Sequence, residues 1–395
     1  MAVADGRPEV LVLVSDAGGG HRAAANALVA AAEAVGTPFR LRVANLQEVF
    51  EPLDPVRRFT GRSMETVYNA LVRRSRTRHL VGLLRVFHAA IRLRRRALVE
   101  RLARFLSEAR PAAVLSVLPN FNGVIRDAVS ASLRGVRFVV LLTDFADFPP
   151  HFWIEPGIDR VIAGSDRAAE QAREIGLLPE NISRASGMVL HPRFYPPVGP
   201  EARIRLRREL GIPEDAFAVL VLFGGKGSAE VLPLSGALLR EDPRWHVLTV
   251  CGDNPVLYES LAALEAAVGG RLHRFGFTDR VAELMAASDV VATKPGPGTL
   301  AEAFHQRVPV VLPRDGRTVP QERYNARLVA ESGLGLVVPH WSRIPAAVTM
   351  MQEESGLRAR ICANLAALPP NRAVFEVLDV LAGEVRHDTG APEPR

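Results

Sequence analysis

Residues 288–302 read SDVVATKPGPGTLAE, and this stretch decides how the second half of the chain folds. The apolar residues 290–292 predict a buried strand, and the Pro-Gly-Pro-Gly run predicts a tight turn, with a helix beginning at about Thr299. Such a turn directs unpaired backbone N–H groups and the positive end of the helix dipole at one small volume. The stretch therefore predicts either a phosphate or diphosphate site or a turn without a ligand. Glu302, one turn into the helix, could accept hydrogen bonds from ribose hydroxyls.

Strands and helices alternate on both sides of this stretch, which predicts an α/β protein built from two doubly wound parallel sheets. A length of 395 residues suits two domains. The segment SGMVLHPRFYPPVGP, rich in Pro and Gly, has no helix or strand period. We therefore predict a first domain over 1–190, a hinge at 191–200 and a second domain over 201–366. Residues 367–395 are predicted to form a terminal helix, which could pack on the first domain, and a polar tail.

Composition excludes several classes of protein. Two cysteines rule out a disulfide framework and favour a reducing cytosol. The first nine residues lack the layout of a signal peptide, and no apolar run approaches the ~20 residues that span a bilayer. We expect a cytoplasmic protein.

The net charge of +6 is unevenly distributed. The region 57–104, predicted to be helical, contains fourteen arginines and only two acidic residues. Such a region attracts anionic membranes, nucleic acids or phosphorylated substrates, or is merely a solvated helical face. The sequence leaves these alternatives open.

Two groups in the first half are candidates for acid–base chemistry. The loop Ser-Asp-Ala-Gly-Gly-Gly-His, residues 15–21, follows the first strand, and its glycines Gly18, Gly19 and Gly20 let a ligand approach the backbone. His21 is a candidate general base. Asp144, at the end of another buried strand, is either a second acid–base group or a turn cap.

The second half repeats the pattern of a strand followed by a glycine turn at Phe-Gly-Gly-Lys-Gly-Ser, residues 223–228. Lys226, like Lys294 in the later turn, could neutralise diphosphate charge. Gln321 and Glu322, at the start of a later helix, could hold sugar hydroxyls or be an ordinary solvated helix start. The histidines and cysteines have no metal-ligand spacing, so we predict no metal.

Six motifs, taken together in their order along the chain, resemble glycosyltransferase family 28 and within it the monogalactosyldiacylglycerol synthases and the bacterial processive diacylglycerol glucosyltransferases. They are SDAGGGHRAAANAL (15–28), TDF (143–145), FGGKGS (223–228), VCGDN (250–254), GFTDRVAELMAASDVVATKPGPGTLAEA (276–303) and PQERYNA (320–326). They extend over most of the chain, and the block at 276–303 is the most specific.

The resemblance implies a GT-B fold, with two Rossmann-like domains facing a central cleft. It implies an inverting enzyme, without metal or other cofactor, that moves glucose or galactose from a UDP-sugar to a lipid acceptor such as diacylglycerol. The protein would act at the inner face of the membrane, attached peripherally through the basic region 57–104, and would have no nucleic-acid partner.

The resemblance also implies roles for residues at the matching positions. His21 and Asp144 would be near the acceptor hydroxyl, with Gly18, Gly19, Gly20 and Asn120 in the acceptor-side loops. The donor-binding residues would be Gly225, Lys226, Phe277, Thr278, Lys294, Gly296, Pro297, Gly298, Thr299, Glu302, Gln321 and Glu322. Among these, Phe277 and Thr278 would meet the uracil through their backbone, Glu302 the ribose, Gly296 to Thr299 the diphosphate, and Gln321 with Glu322 the sugar.

Three alternatives to this interpretation remain open. One is a UDP-sugar transferase that acts on a lipid-linked or soluble secondary metabolite. A second is a non-hydrolysing UDP-sugar epimerase, which is also built on paired Rossmann domains. The third, a nucleic-acid binder, would leave the turn at 295–298 without a role.

Overall fold

The computed structural model describes residues 6–15, 19–53, 80–148, 152–196, 198–316 and 318–388, with only the backbone described for 80–86 and 386–388. These residues form two compact units. The first comprises the described residues up to Pro192 together with those from Asn371 onward, and the second runs from Arg193 to Pro370.

Each unit contains a parallel sheet with helices between its strands. The strands of the first unit are β1 (Glu9–Val14), β2 (Arg40–Asn45), β3 (Ala113–Ser116), β4 (Arg137–Leu141), β5 (Arg160–Ala163) and β6 (Ile182–Arg184). Those of the second are β7 (Ala218–Leu222), β8 (His246–Val250), β9 (Leu272–Phe275), β10 (Val290–Thr293), β11 (Val310–Pro313) and β12 (Gly335–Val338).

The described helices, in chain order, are α1 (Gly20–Val35), α2 (Leu46–Phe50), α3 (Leu80–Ala109), α4 (Asn122–Ser132), α5 (Asp166–Glu174), α6 (Pro200–Glu209), α7 (Val231–Glu241), α8 (Pro255–Ser260), α9 (Ala262–Ala267), α10 (Val281–Ala287), α11 (Pro297–His305), α12 (Arg323–Glu331), α13 (Ile344–Glu353), α14 (Ser355–Ala367) and α15 (Ala373–Asp388). A 3₁₀ turn, Pro320–Glu322, leads into α12.

The strand order is β2-β1-β3-β4-β5-β6 in the first unit and β12-β11-β10-β7-β8-β9 in the second. All pairings are parallel, which confirms the predicted doubly wound α/β class. The order reverses between β1 and β3 and between β7 and β10, and such switch points are where open α/β sheets bind ligands.

Buried apolar side chains on the strands hold each sheet to its helices. The β1 residues from Val10 to Val14 and the β7 residues from Ala218 to Leu220 are fully buried. Burying one such Val or Leu side chain contributes about 1.5–3 kcal/mol relative to leaving it exposed. The sheets are thus rigid supports for the loops at their carboxyl edges.

Two elements differ from what the sequence pattern indicates. Residues 255–268 have the pattern of one helix but form two short helices, α8 and α9. The Ser260 hydroxyl donates to the Val256 carbonyl, a bond that competes with the helical backbone. The helix predicted from Thr299 begins at Pro297 instead, because proline is well tolerated in the first turn of a helix.

Other elements have no predicted counterpart or extend beyond the described residues. The edge strands β6 and β12 are too short for their period to be recognised, and α6 is dominated by charged residues. Of the helical region predicted over 57–104, α3 covers the part from Leu80, while residues 57–79 lie outside the described residues.

The C-terminal helix α15 belongs to the first unit. The buried carboxylate of Glu384 accepts a hydrogen bond from Arg137 Nε at 2.9 Å and another from Arg160. Glu376 accepts a hydrogen bond from the Ser186 N–H at 2.6 Å. These bonds fix α15 to β4 and β5 and to the chain just after β6.

Candidate functional site

The first candidate site lies in the second unit, where the loops after β7 and β10 leave the sheet at its switch point. Gly224 adopts a left-handed conformation with φ of 80°, which turns the chain directly after β7. After β10, the Gly296 N–H donates to the Lys294 carbonyl at 2.7 Å, closing a tight turn ahead of α11. The sequence predicted both turns as parts of one ligand site, and the sheet order brings them side by side.

Helix α11 presents an uncapped N-terminus at this site. Gly296 is its N-cap and supplies no side chain, and the first bond within the helix runs from the Leu300 N–H to the Gly296 carbonyl at 3.1 Å. The N–H groups of Gly298 and Thr299 therefore have no acceptor within the helix, while Pro297 has no N–H to satisfy. This is the arrangement that attracts an anion.

Lys294 lies across the two turns. Its Cε is 3.5 Å from the position that a Cβ would occupy on Gly224 and the same distance from that on Gly296. Its ammonium forms an ion pair with Glu322, at 2.5 Å between Nζ and Oε1. A positive charge is thus held beside the uncapped helix terminus, and the predicted sugar-contacting residue Glu322 lies next to it.

Asn325 fixes the proline–glycine turn and was not among the predicted site residues. Its fully buried side chain donates from Nδ2 to the Pro295 carbonyl at 2.8 Å. Its Oδ1 atom is also buried and has no hydrogen-bond partner in the described structure. A buried amide in the first turn of α12 gives no signal in the sequence, because its partner lies thirty residues earlier.

Glu302 is half-buried in the second turn of α11. Burial raises the pKa of its carboxyl from 4.5 to about 7, and the charge of Arg193 opposes this shift only in part. Among the described residues none donates a hydrogen bond to this carboxylate. Glu302 is therefore a half-buried acceptor that is available to a ligand's hydroxyl groups.

The remaining donor-side residues are spread around the neighbouring loops. Lys226 forms an exposed ion pair with Asp253, at 3.3 Å, beside Gly225. Phe277 is 77% exposed, and the Thr278 hydroxyl accepts a hydrogen bond from the Arg280 N–H at 3.1 Å. Gln321 lies in the 3₁₀ turn before α12. Asp253 thus compensates part of the charge of Lys226, whereas Lys294 lies beside the uncapped N-terminus of α11.

The second candidate site lies at the β1/β3 switch point of the first unit. Gly19 is the N-cap of α1 with φ of 83°, and Gly20 is the first residue of the helix. No side chain caps this helix either. Gly18, the third predicted glycine of the loop, lies outside the described residues.

His21 sits in the first turn of α1 against the carboxyl ends of β3 and β4. Its Nδ1 is 3.2 Å from the Thr143 hydroxyl, and its ring also hydrogen-bonds the Val117 backbone. Burial lowers the pKa of His21 from 6.5 to about 4, while the bond to Val117 acts in the opposite direction. The imidazole is therefore neutral at physiological pH, with one nitrogen able to accept a proton.

Asp144 does not bond His21 directly in the described contacts. Its Oδ2 accepts a hydrogen bond from the indole Nε1 of Trp153 at 2.9 Å, and both residues are buried. The Trp153 ring meets the His21 ring edge-on, with centroids 5.5 Å apart. Trp153, which sequence reasoning missed, is thus the residue that contacts both predicted acid–base groups.

Asn120 lies after β3 with a left-handed φ of 71°, rare for a residue other than glycine. Its Oδ1 is 2.5 Å from His88 Nε2 on α3, and its N–H donates to the Phe152 carbonyl at 2.7 Å. These bonds hold a strained loop in place beside the segment that contains Trp153.

The described residues contain no group of three or more His, Cys, Asp or Glu side chains arranged to hold a metal ion. None of the helices in the described part of the chain is long and apolar enough to cross a membrane.

The family profile and the similar proteins that match this chain agree with one another. The profile of the glycosyltransferase family 28 C-terminal domain matches residues 219–354. Monogalactosyldiacylglycerol synthase 2 of Arabidopsis thaliana is 30% identical over 353 residues, which cover 83% of this chain and 70% of the relative. The processive diacylglycerol beta-glucosyltransferase of Bacillus subtilis is 29% identical over 269 residues, 67% of each chain.

The probable monogalactosyldiacylglycerol synthase of Nicotiana tabacum is 29% identical over 341 residues, which are 83% of this chain. The match spans only 61% of the tobacco protein, so this chain corresponds to about three-fifths of that relative's length.

Solved structures share the fold. Acinetobacter baumannii MurG matches with a TM-score of 0.61 at 12% identity, over 95% of this chain and 99% of the other. Anabaena Alr3699/HepE in complex with UDP-glucose matches with a TM-score of 0.53 at 16% identity, over 96% and 99%. These likenesses confirm the predicted GT-B fold.

Proposed function

Because the chain belongs to glycosyltransferase family 28, we propose that it transfers a hexose from a UDP-sugar to a lipid acceptor such as diacylglycerol. One observation carries the proposal: the β7/β10 switch point combines an uncapped helix terminus with a fixed ammonium group, that of Lys294. Both features attract the charge of a nucleoside diphosphate. The names of the relatives in Arabidopsis and Bacillus supply the lipid class of the acceptor.

In this proposal the diphosphate lies against the turn from Gly296 to Thr299, whose free N–H groups and helix dipole meet its charge. Glu302 accepts hydrogen bonds from the ribose hydroxyls. Glu322 and Gln321 hold the sugar, and the backbone at 277–278 meets the uracil. Gly225 leaves room for close approach, and Lys226 contributes a second, screened positive charge.

The neutral imidazole of His21 is the general base. As the acceptor hydroxyl attacks the anomeric carbon, its proton passes to the lone pair of the imidazole, while the bond from that carbon to the UDP oxygen breaks. Attack on the face opposite to the leaving group inverts the anomeric configuration. In this proposal the acceptor side of the site is formed by Gly18, Gly19, Gly20 and Asn120.

Departure of UDP needs no resident metal in this proposal. The charge that develops on the leaving diphosphate is met by the Lys294 ammonium and by the N-terminus of α11, both already in place before the reaction. Groups fixed in advance at a developing charge give the strongest electrostatic stabilisation.

The proposed acceptor is a lipid, so the protein should bind a membrane surface, and we place it at the inner face. Helix α3 has a suitable side: Leu93 is 88% exposed, and Arg92 and Arg96 are exposed next to it. The opposite side of α3 is buried through Ile91, Leu98 and other apolar residues. Each basic residue near an anionic surface contributes about 1 kcal/mol of attraction.

The test is a donor and acceptor screen. The protein is incubated with UDP-glucose or UDP-galactose and with vesicles that contain diacylglycerol and an anionic phospholipid, and the lipids are analysed by mass spectrometry. We expect one hexosyl-diacylglycerol product, and NMR of that product should show the inverted anomeric configuration. An E302A variant should bind UDP more weakly while it keeps its fold.

Other outcomes would identify the alternatives. Epimerised UDP-sugar without any acceptor would replace the proposal by an epimerase. Transfer to a soluble hydroxyl compound, unaffected by vesicles, would replace the lipid acceptor by a soluble one. Calorimetry that detects no binding of UDP at all would end the proposal.

A further inference from the structure

Trp153 is bonded at three polar positions although it is completely buried. Its indole N–H donates to Asp144, its backbone N–H donates to Asp147 Oδ1 at 2.7 Å, and its carbonyl accepts from Asn122 Nδ2 at 2.7 Å. Buried polar networks that are fully bonded hold one conformation, because an unmade bond in the interior is costly. The orientation of this indole is therefore fixed by its surroundings.

The partners of Trp153 are themselves fixed. The Asp147 N–H donates to Gln171 Oε1 at 2.8 Å, and Gln171 Nε2 returns a bond to the Asp147 carbonyl at 2.7 Å. Asn122 Oδ1 accepts from the Ser116 hydroxyl at the end of β3, at 2.6 Å. The network thus connects Trp153 to the rigid sheet and to α5.

The Trp153 ring, which belongs to this network, contacts the ring of His21. The indole and imidazole rings meet at 65° with centroids 5.5 Å apart, a favourable edge-to-face contact for two aromatic rings. The Thr143 hydroxyl lies 3.2 Å from Nδ1, the Val117 backbone hydrogen-bonds the ring, and the Trp153 ring packs against it. All three contacts come from loops or strand ends at one edge of the sheet.

We propose that Trp153 is a positioning residue: it sets the orientation of the His21 imidazole, and Asp144 acts through it instead of on the substrate. The inference rests on the proposed function, in which His21 takes the proton of the acceptor hydroxyl. A carboxylate that accepts an indole N–H makes a stronger bond than a neutral acceptor would, so Asp144 holds the indole in the orientation that His21 requires.

A base that is displaced by about 1 Å can lose about 10²-fold in rate. Loss of the indole bond should therefore reduce turnover and leave donor binding, which is a property of the second unit, unchanged. The charged groups that border the indole in the described structure are Asp144 and Asp147.

The experiment is a double-mutant cycle between Trp153 and Asp144. W153F keeps a ring against His21 and removes the indole N–H, and D144L removes the acceptor at similar size. We expect each to lower kcat by roughly 10–100-fold with KM for the UDP-sugar unchanged. The double variant should be no worse than the poorer single variant, within about twofold, because both changes break one bond.

A matched control is available in the second unit. Trp245 is equally buried, and its indole N–H donates to Gln352 Oε1 at 2.6 Å. W245F should lower the thermal stability about as much as W153F and leave kcat as in the wild-type protein. If W245F lowers kcat equally, the effect of W153F is one of stability and the proposal falls.

Two kinetic results would overturn the proposal. If the reductions in kcat of the two single variants multiply in the double variant, Asp144 acts on the substrate and not through Trp153. If W153F has the kcat of the wild-type protein, Trp153 does not position His21. NMR of the His21 ring in the free protein gives a readout independent of transfer: contacts of the ring protons with Val117 and Thr143 in the wild type, weakened in both W153F and D144L. Unchanged contacts in W153F would also overturn the proposal, and this measurement stands even if the protein transfers no sugar.

Discussion

The ammonium of Lys294 and the carboxylate of Glu322 form an ion pair, although they come from different loops 28 residues apart. In the free protein each partner compensates the charge of the other. A bound diphosphate would compete with Glu322 for the same ammonium, and Glu322 would then be able to turn to the sugar. Donor binding is thus expected to redistribute one existing charge pair instead of bringing in a new cation.

The variant E322Q tests this competition. It keeps an acceptor of similar shape and removes the negative charge, so the Lys294 ammonium is left for the diphosphate. We expect UDP to bind at least as tightly as to the wild-type protein, while kcat with the UDP-sugar falls. Titration calorimetry with UDP and steady-state kinetics measure the two effects, and weaker UDP binding in E322Q would contradict the competition.

Removal of the proposed base should affect turnover alone. We expect H21A to lower kcat by roughly 10²–10⁴-fold, the range for loss of a general base, with UDP affinity unchanged. Because the pKa of His21 is about 4, the wild-type imidazole is already neutral at pH 5, and protonation of this group should reduce kcat only near pH 4. An acid limb near pH 6.5 that disappears in H21A would refute the lowered pKa.

Glu302 should make stability depend on pH. Its pKa is raised from 4.5 to about 7, so the folded protein holds this proton more tightly than the unfolded chain. The resulting stabilisation is complete below pH 4.5 and is lost as the pH rises to about 7. Relative to E302Q, which stays neutral, the free energy of unfolding of the wild-type protein should be lower at pH 8 than at pH 5. Urea denaturation at pH 5 and at pH 8 measures the difference in free energy of unfolding between the wild-type protein and E302Q. The same difference at both pH values would show an unshifted pKa.

Membrane attachment should depend on the exposed side of α3. We expect the double variant R92E/L93E to sediment less with anionic vesicles, since it removes one attractive charge and one exposed apolar side chain and adds two repulsive charges. The matched control is R360E, which reverses an exposed arginine on α14 in the second unit. An equal loss in R360E would indicate a general effect of net charge, not a binding face.

Chelation should leave transfer intact. Since the proposal assigns the leaving charge to Lys294 and to the N-terminus of α11, activity measured in excess EDTA should equal that of the untreated protein. The corresponding variant, K294M, should lower kcat/KM for the donor by about 10–100-fold, as expected for loss of one charge-assisted bond. If EDTA abolishes activity and added Mg²⁺ restores it, the assignment is wrong.

The fold could be predicted because its signals are local. Buried strands followed by a glycine turn, such as β1 and β7, are visible in a few residues, and the twelve described strands form two parallel sheets of the predicted class. The edge strand β6 was missed because three residues, Ile182–Arg184, contain no recognisable period. Its pairing with β5 exists only through the tertiary structure.

The candidate sites were predictable in part for the same reason. The turn at Gly296 and the helix behind it are local features, so both could be predicted from the chain. The bond from Asn325 to Pro295 and the contact of Trp153 with His21 join distant segments. No spacing rule in the sequence encodes such pairs, which depend on the order of the strands and on the side-chain conformations that packing selects.

Among the described residues, the return of α15 to the first unit means that the polypeptide passes between the units twice, after Pro192 and again after Pro370. The described part of the second unit is therefore one uninterrupted stretch of gene, whereas that of the first comes from two separated stretches of the chain. After a protease cuts one crossing, the other still links the second unit to a part of the first. Removal of the last helix would take from the first unit the carboxylate of Glu384, on which two of its arginines converge.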